Sequence, residues 1–97
     1  MENIVYYNDL YDLYGDLLTK KQKEYFEDYY FNNLSFSEMA DNYGVSRNAI
    51  FKQIHIVTNK LEEYESKLRL LEKKEKLLKV INTITDEEIK EKLEEII

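Results

Sequence analysis

The apolar residues of the chain recur at steps of three and four, which is the spacing of helices that bury one face. The predicted helices cover residues 5–18, 20–32, 36–43 and 86–97. Another helix begins at Arg47, and nothing in the sequence requires it to end before Asn82, although a break near residues 65–67 is equally compatible. Proline is absent and glycine occurs twice, so a sheet would lack its usual turns. The predicted fold class is all-α.

Capping signals mark where three of these helices begin. A Ser or Thr followed three residues later by Glu or Gln can form a capping box, in which each residue's side chain accepts a hydrogen bond from the other's backbone N–H. The chain carries this pattern at Thr19–Gln22, Ser35–Glu38 and Thr85–Glu88.

Residues 35–54 combine such signals into a helix-turn-helix motif. The small Ala40 lets the two helices cross closely, Gly44 can adopt the positive φ that ends the first helix, and Ser46 caps the second. The second helix of this motif is the one that enters a DNA major groove. The alternative is a structural corner of two capped helices that binds no DNA.

The second helix supplies the candidate DNA-contacting side chains. Arg matches the two acceptors of guanine, Asn and Gln can pair with both edge groups of adenine, and Lys can contact bases or phosphates. The capped N-terminus of the helix and the last lysine of the predicted set are assigned to phosphates. The predicted DNA-binding residues are Ser46, Arg47, Asn48, Lys52, Gln53, His55 and Lys60.

The overall charge disfavours nucleic-acid binding, whereas the local charge favours it. The net charge is −6, from 20 acidic and 14 basic residues. Residues 1–45 hold nine acids and three lysines, but residues 46–60 contain no acid. Phosphate neutralisation supplies most non-specific DNA affinity, so binding would depend on the positive field of this one helix and on a dimer.

The tyrosines of the N-terminal half admit two interpretations. Tyr7, Tyr11 and Tyr14 could stack on the bases of single-stranded RNA. They share one helical face, however, and acids are interleaved where a phosphate backbone would run, so packing in the core is favoured. The acids themselves could suggest a metal site or an acid–base pair, but a solvated face is the default.

Several classes of function are disfavoured by what the sequence lacks. The chain has no cysteine, no phosphate-binding glycine loop, and no recognisable catalytic partner for its single histidine, His55. We therefore expect no enzyme, no catalytic residue, no metal site and no cofactor. No apolar run approaches membrane-spanning length and the N-terminus lacks signal-peptide features, so a cytoplasmic protein without membrane insertion is expected.

A heptad pattern continues into the C-terminal half. Apolar positions alternate steps of four and three from Ile50 to Leu78, with Glu75 as the interruption. This seam predicts a homodimer that would present two recognition helices to successive major grooves. The predicted dimer-interface residues are Val57, Leu61, Tyr64, Leu68, Leu71 and Leu78. We expect a helix-turn-helix domain over residues 1–64 and a C-terminal helical extension over 65–97 for oligomerisation or docking.

A spaced set of residues runs through roughly the first three quarters of the chain. It comprises Leu10-Tyr11-Asp12, Tyr14-Gly15, Leu17-Leu18-Thr19, Gln22, Tyr25, Tyr29-Tyr30, Leu34-Ser35, Glu38-Met39-Ala40, Gly44-Val45-Ser46-Arg47, Leu61-Glu62, Tyr64-Glu65 and Lys67-Leu68. This set resembles the bacterial YlxM-like proteins. The resemblance implies an all-helical fold similar to region four of sigma factors, within the winged-helix-like DNA-binding superfamily.

The resemblance also implies a gene beside those of the signal recognition particle, and from that position a regulatory or accessory role in the secretion pathway. Two hypotheses follow. The first is a DNA-binding regulator. The second is an accessory protein that binds no DNA and engages the particle's RNA or protein through its acidic and C-terminal helical surfaces.

Overall fold

The computed structural model describes residues 3–97, and within this range the chain is helical without strands. The α-helices are α1 (Ile4–Tyr14), α2 (Lys20–Tyr30), α3 (Phe36–Tyr43), α4 (Arg47–Leu68), α5 (Leu70–Ile81) and α6 (Glu87–Ile96). A 3₁₀ turn, Gly15–Leu17, leads from α1 towards α2. The all-α prediction is confirmed. Among these described helices, none combines the length and apolar content needed to cross a membrane.

Most helix starts follow the local capping signals. Thr19 and Ser35 each form the complete two-way capping box at the start of α2 and α3. The box predicted at Thr85 is wrong, because Asp86 is the N-cap of α6 and accepts the backbone N–H groups of Glu88 and Ile89. Asp is as good an N-cap as Thr, and its charge is favoured at the positive end of a helix.

The long helix that begins at Arg47 does not continue to Asn82. It ends at Leu68, and α5 starts two residues later, after Arg69 adopts a left-handed conformation with φ 55° and ψ 33°. The alternative of a break is therefore correct in kind, although the break lies beyond residues 65–67. Because the chain changes direction at Arg69, α5 packs back against α1 instead of extending the axis of α4.

The core is built around α4, which packs against α1, α2 and α3. It holds apolar side chains from all four helices, and α5 adds Leu71. The last helix, α6, packs against α5 and has no buried residue of its own, while Ile81 at the end of α5 is buried. The molecule is elongated, with extents of 55 × 25 × 23 Å.

This packing corrects the predicted dimer seam. Val57 and Leu61 have no exposed surface and Leu71 is buried, all three inside the chain's own core cluster. In this fold they are covered by the chain's own side chains and do not lie on the surface that a second copy would meet. Tyr64 is partly buried beside Tyr14, so this half of the heptad spacing reflects packing within one chain.

Of the remaining seam positions, Leu68 and Leu78 are exposed. They lie on different helices, α4 and α5, on either side of the turn at Arg69. The division expected at residue 64 falls inside α4, four residues before that helix ends.

Candidate nucleic-acid interface

Helices α3 and α4 form the helix-turn-helix motif. Gly44 ends α3 with φ 66° and ψ 37°, and a Cβ added there would meet nothing within 4 Å, so the position needs glycine for its backbone conformation alone. The Ser46 hydroxyl oxygen accepts the Ala49 backbone N–H at 3.0 Å and starts α4. These are the two boundaries predicted for the turn.

Small and apolar side chains form the contact where the two helices cross. Ala40 and Met39 of α3 are buried together with Ile50 and Ile54 of α4 in one cluster. One side of α4 is thereby fixed against the body of the molecule. The opposite side is left in solvent.

That solvent-facing side carries most of the predicted DNA-binding residues. Arg47 and His55 are exposed, and their spacing of eight residues aligns them along one face. Asn48 and Lys52 are exposed beside them. We call this surface, together with Phe51, the α4 outer face.

The other three predicted residues are placed differently. Ser46 is exposed, but its hydroxyl oxygen serves as the helix cap. Gln53 is half-buried, as expected from its spacing of three and four residues from Ile50 and Val57. The Lys60 ammonium group donates to the Gln22 side chain of α2 at 3.3 Å, so it lies towards α2, outside the α4 outer face.

Phe51 is the residue of this face that the sequence prediction missed. It is 43% exposed, although phenylalanine is usually buried. Its ring lies 4.4 Å from the His55 ring and 5.9 Å from Phe36 of α3, edge-on in both cases. Its position four residues after Arg47 and four before His55 was the signal that could have identified it.

Tyrosines of the N-terminal half donate hydrogen bonds to carboxylates on neighbouring helices. The hydroxyl groups of Tyr7 and Tyr14 donate to Glu62 at 3.0 Å and to Glu65 at 2.6 Å, and both tyrosines belong to α1 while both acids belong to α4. The pKa of each of these tyrosines is raised. Burial is the larger cause, and the hydrogen bond to the carboxylate is the second.

Two more tyrosine–carboxylate hydrogen bonds connect α2 to α1 and to α3. Tyr11 donates to Glu27 of α2, and Tyr43 of α3 donates to Asp28 of α2 at 2.6 Å. The tyrosine-rich half is therefore packed into the helical body as predicted, with the carboxylates serving as hydrogen-bond acceptors.

Comparison with known proteins places this geometry in a family. The family model described as "Putative helix-turn-helix protein, YlxM / p13 like" matches residues 1–97. A UPF0122 protein of Fusobacterium nucleatum is 39% identical over 97 residues, covering 100% of this chain and 94% of the relative. A UPF0122 protein of Shouchella clausii is 53% identical over 66 residues, covering 68% of this chain and 61% of the relative. The similarity thus extends to the C-terminal quarter, beyond the residues that carried the resemblance in the sequence.

Proposed function

Because the chain belongs to the UPF0122 family of helix-turn-helix proteins, we propose that it is a cytoplasmic DNA-binding regulatory protein. The observation that carries this proposal is the α4 outer face. It is exposed, it holds Arg47 and Lys52, and no acid occurs in residues 46–61 of a chain whose net charge is −6. A local excess of positive charge on an acidic protein supports a specific site for an anionic partner.

The arrangement suits the way in which recognition helices dock. Residues near the N-terminus of such a helix contact base edges, and Arg47 and Asn48 occupy the first turn of α4. Arg47 is assigned to guanine and Asn48 to adenine, according to their donor and acceptor patterns. Lys52, one turn further along, is assigned to a phosphate or a base.

The test replaces Arg47 and Lys52 by alanine. The double variant is expected to bind duplex DNA about tenfold or more weakly, because one lost bidentate base contact alone costs about 1–3 kcal/mol. The slope of log affinity against log salt should also become shallower by about 0.9 for each lost phosphate contact. Fluorescence anisotropy with duplexes from the gene's own upstream region, and with a random duplex pool, measures both quantities.

The matched control replaces Lys73 and Lys79, two exposed lysines of α5, by alanine. It changes the net charge by the same amount away from the α4 outer face, so affinity and salt slope should stay near those of the wild type. Equal losses in the two double variants, or no binding of the wild-type protein at low salt, would refute the proposal.

A second candidate function is supported by the arm formed by α5 and α6. Val80 on α5 and Ile89 on α6 are more than half exposed, and Leu77 and Leu78 are exposed beside them in the sequence. Exposed apolar groups that lie together on a helix pair are typical of protein interaction surfaces. We propose that this arm binds either a second copy of the chain or the signal recognition particle.

These two partners are separated by two measurements on one variant, Val80→Glu with Ile89→Lys. Light scattering should report a homodimer for the wild type and a monomer for the variant if the arm dimerises. Co-purification of particle RNA and protein with the tagged wild type, lost in the variant, would support the accessory role. Val5→Glu, which changes an exposed apolar residue of α1, is the control. A wild-type monomer that captures no particle component would refute both.

A further inference from the structure

Phe51 is an apolar side chain among charged and amide residues, so the roles assigned to those residues do not account for it. It lies on the flank of α4, about a quarter turn from Ile50, and is 43% exposed whereas Ile50 and Ile54 are fully buried. Its neighbours one turn away on either side are Arg47 and His55. An apolar ring is thus displayed at the centre of the α4 outer face.

The position of the ring is fixed by its neighbours. Phe36 of α3 meets it edge-on at 5.9 Å, and His55, one turn further along α4, meets it edge-on at 4.4 Å. Phe36 in turn stacks on Tyr29 of α2 with the ring centres 4.9 Å apart. This aromatic row links Phe51 to the body of the molecule, so an exposed side chain is held in place before any partner arrives, and the ordering cost of binding is reduced.

The surrounding charge selects the kind of partner. The α4 outer face carries Arg47 and Lys52, and residues 46–61 contain no acid, so a ligand covering Phe51 must also tolerate or require positive charge. Duplex DNA meets this condition through its phosphates. The apolar group that its major groove displays is the 5-methyl group of thymine, and Phe is among the side chains that contact it.

We propose that Phe51 is a specificity-determining residue that contacts the 5-methyl group of a thymine in the major groove. The proposal rests on the proposed DNA binding by α4 and adds the base that this helix selects. His55 and Phe36 act as positioning residues, because they fix the ring that makes the contact.

Replacement of thymine by deoxyuridine removes only the methyl group, so it tests this contact directly. Duplexes enriched by the wild-type protein from a random pool are remade with deoxyuridine at one thymine at a time. We expect one position at which wild-type affinity falls about fourfold, the loss that corresponds to one buried methyl group. The Phe51→Ala variant should bind the thymine and deoxyuridine duplexes with equal affinity at that position.

Two further variants keep the result interpretable. Phe51→Leu retains an apolar contact and should keep part of the discrimination even if Phe51→Ala is less stable. Phe31→Leu changes another phenylalanine of similar exposure, outside the motif, and should discriminate like the wild type.

The outcomes separate this inference from the function on which it rests. If the wild-type protein enriches duplexes and loses affinity in the Arg47 and Lys52 double variant, but binds every thymine and deoxyuridine pair equally, the contact is overturned while DNA binding stands. Retained discrimination in Phe51→Ala would overturn it as well. If no duplex is enriched at all, the proposed function fails and this inference fails with it.

Discussion

The Tyr14 hydroxyl donates to the Glu65 carboxylate at 2.6 Å and accepts the Leu70 backbone N–H at 3.0 Å. Glu65 also accepts the backbone N–H groups of Leu71 and Glu72, at 3.0 and 3.2 Å. Arg69, in the N-cap position of α5, provides no side-chain cap. A tyrosine of α1 and a glutamate of α4 together therefore satisfy the first N–H groups of α5, which a helix otherwise leaves without partners.

The first prediction compares two buried tyrosines that differ in their hydroxyl partners. Tyr14→Phe should lower the free energy of unfolding by about 1–2 kcal/mol, because Glu65 and the Leu70 N–H both lose a partner in a partly buried site. The Tyr30 hydroxyl is buried without a hydrogen-bond partner among residues 3–97. Tyr30→Phe should therefore be neutral or stabilising. Urea denaturation measures both, and equal losses would contradict the role assigned to the Tyr14 hydroxyl.

The second prediction concerns acid. Burial raises the pKa of the Glu65 carboxyl, but the hydrogen bonds from Tyr14 and the α5 backbone outweigh it and hold the pKa below its ordinary value of 4.5. A carboxyl with a depressed pKa in the folded state stabilises the fold above its unfolded pKa, and this contribution is lost as pH falls through the folded pKa. The stability gap between wild type and Glu65→Gln should thus be full at neutral pH and shrink progressively below about pH 4.5.

Glu63 provides the control for this titration. Its pKa is also lowered, by a hydrogen bond from Lys67 and by that lysine's charge, but the pair is exposed on the surface of α4. Exposed pairs contribute little to stability, so Glu63→Gln should change the pH profile much less than Glu65→Gln. Thermal unfolding followed by circular dichroism between pH 3 and 7 would record the three profiles. An unchanged gap between wild type and Glu65→Gln across this range would contradict the argument.

The relationship between Tyr14 and Glu65 also shows what the sequence could and could not predict. The starts of α2, α3 and α4 and the turn at Gly44 were predictable because caps and positive-φ glycines act over three or four residues. The break at Arg69 was not, because arginine seldom adopts a left-handed conformation and the compensating contact comes from a tyrosine 55 residues earlier in the chain. Val57 and Leu61 were assigned to a dimer seam because heptad spacing identifies an apolar face but does not reveal whether the same chain or a second chain covers that face.

Some residues of the candidate nucleic-acid interface were predictable from the sequence and others were not. Arg47 and Lys52 were predictable as exposed from helical spacing alone. Spacing also separates Lys60 from the α4 outer face, since it lies about two and a half turns from Phe51 and so on the other side of α4. Its partner Gln22 was not predictable, because α2 brings that residue to it from a distant part of the sequence. Phe51 was missed because an apolar residue in a predicted helix is normally assigned to the core.

The third prediction addresses the turn between α4 and α5. Arg69 has φ 55°, a conformation that costs a residue with a Cβ about 1–2 kcal/mol relative to glycine. Arg69→Gly should therefore stabilise the protein by up to about 1 kcal/mol after the extra flexibility of the unfolded chain is included. Arg69→Ala keeps the Cβ and should show no such gain. If the glycine and alanine variants have the same melting temperature, the backbone conformation is not the cause.

The fourth prediction concerns Ala40, where α3 crosses α4. The side chain is buried at the contact between the two helices, so Ala40→Leu has to push them apart. Overpacking of this kind costs about 1–3 kcal/mol, whereas the volume-conserving change Met39→Leu at the neighbouring buried position should cost less than about 1.5 kcal/mol. Because the crossing also orients the α4 outer face, Ala40→Leu should weaken DNA binding at temperatures where the variant is still folded. Unfolding curves and anisotropy titrations on both variants check this, and an Ala40→Leu protein with wild-type stability and affinity would show that the close crossing is not required.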